Sequence, residues 1–177
     1  KGPIYPFTSM DSNRPEDLWT FLESQRAIGL ENFSISHNGN ISNSKMYAPY
    51  DSEGIPLTKR YAERRARNEP ATEIMQVKSA SETHPALSPN DEFADYETWD
   101  QGNPDLSVAK KDDMLQYAYA RSALQIGLKQ ELKLGVNPYK FGMIGATDSN
   151  TGLATAAEAN SFGKHSGADP RASRPNG

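Results

Sequence analysis

The stretch FGMIGATDSNTGL, residues 141–153, is apolar up to Ala146 and then breaks off through Asp148 into small polar residues. A short apolar run that ends on a lone carboxylate reads as a parallel strand delivering that carboxylate to the rim of an α/β fold. Asp148 is then either a metal ligand or the first residue of the turn that follows.

Upstream of this strand, taken as 139–146, the pattern changes to a helical period. The spacing predicts a helix over 112–134, with Tyr117, Leu124, Leu128 and Leu132 on one side, terminated by Gly135 and Pro138. Before it lies the polar loop SASETHPALSPNDEFADYETWD at 79–100, in which Ser88–Glu92 resembles a helix start with acids in the first turn. The segment ATEIMQVKS, 71–79, alternates as a strand. Glu73, Met75 and Val77 fall on one face, and Thr72, Ile74, Gln76 and Lys78 on the other.

Further upstream a helix over 57–68 is closed by Pro70. Its basic run KRYAERRAR, 59–67, is interleaved with glutamate and alanine and reads as a solvated face. Residues 40–56 read as a loop. A strand over 33–36 is stopped by His37 and the turn-forming Asn38-Gly39. The first helix, 14–28, opens on Pro15 with Asn13 and Glu16 as a capping-box pair, and Gly29 ends it. A polar tail begins at 163.

Helix, strand, helix, strand, helix, strand is the order of an α/β fold with about three parallel strands and right-handed crossovers. Three parallel strands cannot close a barrel, and a parallel sheet needs both faces covered. The sheet is therefore read as incomplete: part of a larger barrel, or completed by a partner.

Composition narrows the functions. The net charge of −4 and the scattered basic residues argue against nucleic acid, which requires a clustered basic face. The absence of cysteine excludes disulfides, thiolate metal sites and cysteine nucleophiles. No apolar stretch approaches the roughly 20 residues that span a bilayer. With 36% hydrophobic residues and a mean hydropathy of −0.76, the chain is polar for a self-sufficient domain. No compartment follows from any of this.

In parallel folds the working residues stand at the carboxyl ends of strands. Here those ends carry His37 with Asn38 and Asn40, then Lys78 running into Ser81, Glu82 and His84, then Thr147, Asp148 and Asn150. Imidazole and carboxylate suit zinc, manganese or iron, ions that activate water and clamp phosphoryl oxygens. Each residue also has a plainer reading. His37 can be a turn residue bonding its own backbone, Glu82 and His84 can face solvent, Asp148 can cap a turn, and Lys78 can be a surface lysine. Glu73, early in its strand, is left out of the set.

At HNGN (37–40), QVKSASETHPALSPNDEFADYE (76–97) and NPYKFGMIGATDS (137–149), the chain resembles domain-of-unknown-function family 3604, which is related to the polymerase-and-histidinol-phosphatase group of metal-dependent hydrolases. The likeness runs from RPEDLWTFLESQRAIG to AAEANSFGKH. It implies part of a distorted β/α barrel with divalent metal at its carboxyl rim, and a phosphoesterase using metal-activated water on a small-molecule phosphate ester. By motif it implies His37, His84 and Asp148 as metal residues and Glu82 as a ligand or proton-transfer group. Asn150 can offer metal an amide oxygen, and from their places at the strand ends Lys78 is taken as catalytic and Asn38 and Asn40 as substrate contacts. Asn150 stands where members carry histidine, and Ser79 where glycine is usual. The group also opens on an H-x-H strand that this sequence lacks. The chain is accordingly expected to be a single partial domain, 1–177, the carboxyl-terminal part of the barrel. The alternative is a scaffold or binding protein that has lost metal ligands.

Overall fold

The structure, a computed structural model, describes residues 5–148. Asn150 and the polar tail at 163–177 lie outside the described residues. Helices and strands alternate as α1 (Pro15–Ala27), β1 (Ile35–Ser36), α2 (Lys59–Asn68), β2 (Ala71–Gln76), β3 (Ser79–Ala80), α3 (Ala120–Leu134) and β4 (Gly142–Gly145). No helix among them is long and apolar enough to cross a membrane.

β2 is the centre of the sheet. It pairs in parallel with β1 at Ala71–Thr72, in parallel with β4 from Ala71 to Met75, and antiparallel with β3 at Met75–Gln76. A strand has two edges, so β4 takes one of them while β1 and β3 divide the other end to end. The expected α/β class and parallel strands are present. The described sheet is open: β4 bonds only to β2, and all four of its residues are exposed.

β2 departs from the sequence reading in two ways. It does not run on to 79. It stops at Gln76, turns through Val77-Lys78, and returns as β3. An irregularity also falls between Glu73 and Met75, where two residues of β2 advance against one step from Ile144 to Gly145. Such a bulge breaks the two-residue alternation. Glu73 and Gln76, assigned to opposite faces by strict alternation, therefore meet, with Gln76 Nε2 donating to Glu73 Oε2 at 3.3 Å.

The helices also differ from expectation at their ends and faces. The Asn13–Glu16 capping box does not form: Arg14 is the N-cap, its N–H donates to the Ser12 hydroxyl at 3.1 Å, and Ser12 donates to Asp17 at 2.7 Å. α3 begins at Ala120 rather than 112. The N–H groups of Ala120 and Arg121 donate to the carbonyls of Ser81 and Glu82, and the Tyr117 carbonyl accepts from Tyr47. Tertiary partners thus hold the backbone of 117–121 where a longer helix would need it. Gly39 permits this approach, since a Cβ there would lie 2.6 Å from the Ala118 carbonyl oxygen. The buried face of α3 is Ala120, Ala123, Ile126 and Gly127, while Leu128 and Leu132 are 61% and 91% exposed. Small residues, not the leucines, let the helix lie close to Tyr47 and Tyr139.

α2 presents Lys59, Arg60, Glu63 and Arg67 of its basic run to solvent as expected, but not Arg65. Arg65 is 5% exposed and pairs with Glu69, itself 9% exposed, at 2.9 Å. Its guanidinium also donates to the Met46 carbonyl at 2.6 Å and stacks over Tyr139 at 4.7 Å. Glu69 accepts from the Trp19 indole at 2.9 Å and from the Ser36 hydroxyl at 2.7 Å. Burial works against the charge on Arg65, but the Glu69 carboxylate, together with Tyr139, Tyr61 and Tyr47, outweighs it and raises the guanidinium pKa. Removing one partner of such a pair leaves a buried charge alone, so Glu69→Ala is expected to destabilise the chain by roughly 3–5 kcal/mol. Lys59, whose pairing with Glu63 at 4.0 Å is exposed, should tolerate Lys59→Ala with a change below about 0.5 kcal/mol. Urea denaturation compares the two, and equal effects would show that Arg65 and Glu69 do not anchor the fold.

Candidate functional site

The carboxyl ends of β1, β2 and β4 gather a connected set of polar side chains. His37 follows β1, and its Nδ1 lies 3.0 Å from the Asn38 amide nitrogen and 3.9 Å from Glu73 Oε2. The Asn38 amide oxygen accepts from Gln76 Nε2 at 2.5 Å, and Gln76 Oε1 accepts from the Lys78 N–H at 2.7 Å. Lys78 Nζ and the Asp148 carboxylate form an ion pair. Asn40 is buried beneath them. It donates its amide to the Lys78 carbonyl at 2.9 Å and accepts from the Ser81 hydroxyl at 2.7 Å, while its N–H donates back to that hydroxyl at 3.1 Å.

Five residues singled out from the sequence, His37, Asn38, Asn40, Lys78 and Asp148, thus share one rim. Glu73 belongs with them, contrary to its omission: the bulge in β2 turns its carboxylate toward His37. Gln76 was placed on the opposite face of the strand yet links Glu73 to Asn38. A glutamine closing a strand just before a two-residue turn is the signal that could have marked it.

Glu82 and His84 make their contacts in a different cluster. Glu82 Oε1 accepts from Arg121 Nη2 at 2.7 Å, and Arg121 Nη1 reaches Asp91 at 2.5 Å. These hydrogen bonds, donated to Glu82 and Asp91, raise the Arg121 pKa. Asp91 is held below its ordinary value by the Phe93 N–H and by Arg121. His84 Nδ1 accepts from the Ala86 N–H at 3.1 Å, which leaves Nε2 to face Asp100 at 3.1 Å. Lys110 stands 3.8 Å from the same Asp100, its pKa lowered by burial in opposition to that carboxylate. Among the described residues, no group of three or more His, Asp or Glu is gathered closely enough to hold a metal ion.

The rim is held by left-handed backbone. Asn38, Ser79 and Asp148 have φ of 57°, 83° and 51°. Asn and Asp tolerate this region, and Asp148 is to that extent a turn residue. Serine does so less well, and the conformation explains why glycine suits the position before SETHP better than a small backbone adjustment would. A side chain there costs about 1–2 kcal/mol, partly offset in a glycine variant by the freer unfolded chain. Ser79→Gly is therefore expected to raise stability by about 0.5–1 kcal/mol and Ser79→Val to lower it, both read by urea unfolding. A loss with Ser79→Gly would show that the turn carries no strain.

No curated protein and no solved structure matches the chain. Residues 1–176 do match the family described as protein of unknown function (DUF3604), and the chain belongs to that family.

Proposed function

We propose that this rim is part of the site of a metal-dependent hydrolase of the polymerase-and-histidinol-phosphatase type, acting as a phosphoesterase on a small-molecule phosphate ester. The observation that carries the reading is the gathering of His37, Lys78 and Asp148 beyond the carboxyl ends of three parallel strands, where such folds place their chemistry, with Glu73 reaching toward His37 from within β2.

The described residues meet part of what a zinc, manganese or iron ion requires. His37 and Glu73 have the right donor chemistry. His37 Nδ1 accepts from the Asn38 amide, so Nε2 would become the ligating atom once the ring exchanged that bond for one donated to the Glu73 carboxylate 3.9 Å away. Two such groups do not complete a site, and in this reading the remaining ligands come from outside residues 5–148, Asn150 among them. A bound ion would supply a hydroxide nucleophile at neutral pH. Lys78 would offer its ammonium to a phosphoryl oxygen, and Asn38 and Asn40 would fix the substrate beside it. The roles that the resemblance gives Glu82 and His84 require their pairs with Arg121 and Asp100 to exchange for substrate or metal. The barrel itself is part of the proposal. It is supported by the open edge at β4, where Met143 and Ile144 are 42% and 39% exposed and further strands or a second copy can add.

A second reading, a binding or scaffold protein that has lost metal ligands, is favoured by one observation: the Asp148 carboxylate already has the Lys78 ammonium as counter-ion. Titration of the full chain with zinc and with manganese, followed by the histidine ring signals in NMR, separates the two. The hydrolase reading expects the His37 signals to move, His37→Ala to weaken metal binding at least roughly tenfold, and 4-nitrophenyl phosphate hydrolysis to fall with chelation. Asn150→His should strengthen metal binding. Unmoved His37 signals together with no hydrolysis of 4-nitrophenyl phosphate would leave the binding-protein reading in its place.

A further inference from the structure

Away from the rim, a cleft of about 640 Å³ opens between the segment before α1, the loop at 42–54 and the face of α2. None of His37, Asn38, Asn40, Lys78, Glu82, His84 or Asp148 lines it. Its volume lies in the range of small-molecule sites. Phe7, Leu18 and Met46 give it apolar walls, and Phe7 is fixed by stacking on Phe21 at 5.6 Å. Tyr61 and Arg65, four residues apart on α2, form its deep side.

The donors and acceptors in this cleft are unequally engaged. The lining carboxylates already have partners. Glu69 is bonded to Trp19, Ser36 and Arg65, and Asp51 accepts the N–H groups of Glu53 and Ile55 at 2.9 Å each. The donors are less occupied. Arg65 uses Nη2 for Met46 and Glu69, while Nε and Nη1 make no hydrogen bond to a described residue and are not sealed from solvent. The Tyr61 hydroxyl likewise has no hydrogen-bond partner among the described residues, and burial raises its pKa, so it remains a protonated donor at neutral pH. Lys45 at the mouth is exposed and forms no ion pair with a described residue.

Open donors converging at the end of an apolar pocket recognise an acceptor that carries negative charge. We propose that this cleft binds a small organic acid, its apolar body against Phe7, Leu18 and Met46 and its carboxylate at Arg65 and Tyr61, with Lys45 closing the charge. The site is independent of the rim and does not rest on the hydrolase reading.

The test uses the full chain, 3-phenylpropionate as probe and its neutral amide as control, with binding followed by amide and methyl shifts in NMR. Saturable shifts at Phe7, Met46 and Tyr61 are expected for the acid, and roughly tenfold weaker binding for the amide. Lys45→Glu should weaken the acid by a similar factor and leave the amide unaffected, while Ser42→Trp should fill the cleft and abolish both responses. Absence of saturation, equal binding of acid and amide, or an acid response indifferent to Lys45→Glu would overturn the proposal. A Ser42→Trp chain that fails to fold leaves the acid–amide comparison and Lys45→Glu to decide.

Discussion

One buried ion pair holds the parts of this molecule in register. A guanidinium and a carboxylate removed from water must answer each other and then satisfy the lone pairs and protons left over, or the fold loses several kcal/mol. Arg65 and Glu69 do so by recruiting one group from nearly every neighbouring element. Trp19 comes from α1, Ser36 from β1, the Met46 carbonyl from the intervening loop, and the Tyr139 ring from the turn before β4. The pair stands just ahead of β2, the strand to which every other strand bonds. It specifies where α1 and α2 sit on the sheet in a chain whose apolar content is modest.

The order of elements was legible because it depends on local signals: Pro15 opening α1, Pro70 closing α2, Gly135 closing α3. What was not legible came from tertiary contacts that override those signals. Four apolar residues at helical spacing, from Tyr117 to Leu132, suggested a buried face, yet Ala123 and Ile126 pack against Tyr47 and Tyr139, and Gly127 leaves room for the Asn137 side chain. The basic run of α2 suggested solvent, yet one of its arginines, Arg65, is buried but for its open edge at the cleft. Charge at helical spacing does not tell which of several identical residues faces inward when its counter-ion lies in the turn after the helix.

The rim divides in the same way. His37, Asn38, Asn40, Lys78 and Asp148 could be gathered from the sequence because a parallel strand delivers its terminal residues to one edge. Glu82 and His84 follow the same strand closely in sequence but leave with β3: the Ser81 and Glu82 carbonyls dock on Ala120 and Arg121 at the start of α3, and His84 meets the Tyr119 ring just before it. Nearness along the chain stopped being nearness in space after one two-residue turn. Glu73 went the other way, brought to the rim by a bulge that no single residue in ATEIMQ announces.

The hydrogen bonds around Asn40 have a consequence for how the site comes into being. Asn40 meets Lys78 and Ser81 across 38 and 41 residues, and Lys78 meets Asp148 across 70. Each contact closes a long loop, and the entropy of closing it is recovered only when the intervening helices have docked. No fragment containing a single rim residue and its near neighbours can rehearse the arrangement. The cluster is therefore built from long-range contacts, each of which depends on the docking of the elements between its partners. Its amide protons should be released to solvent only by opening of the sheet as a whole.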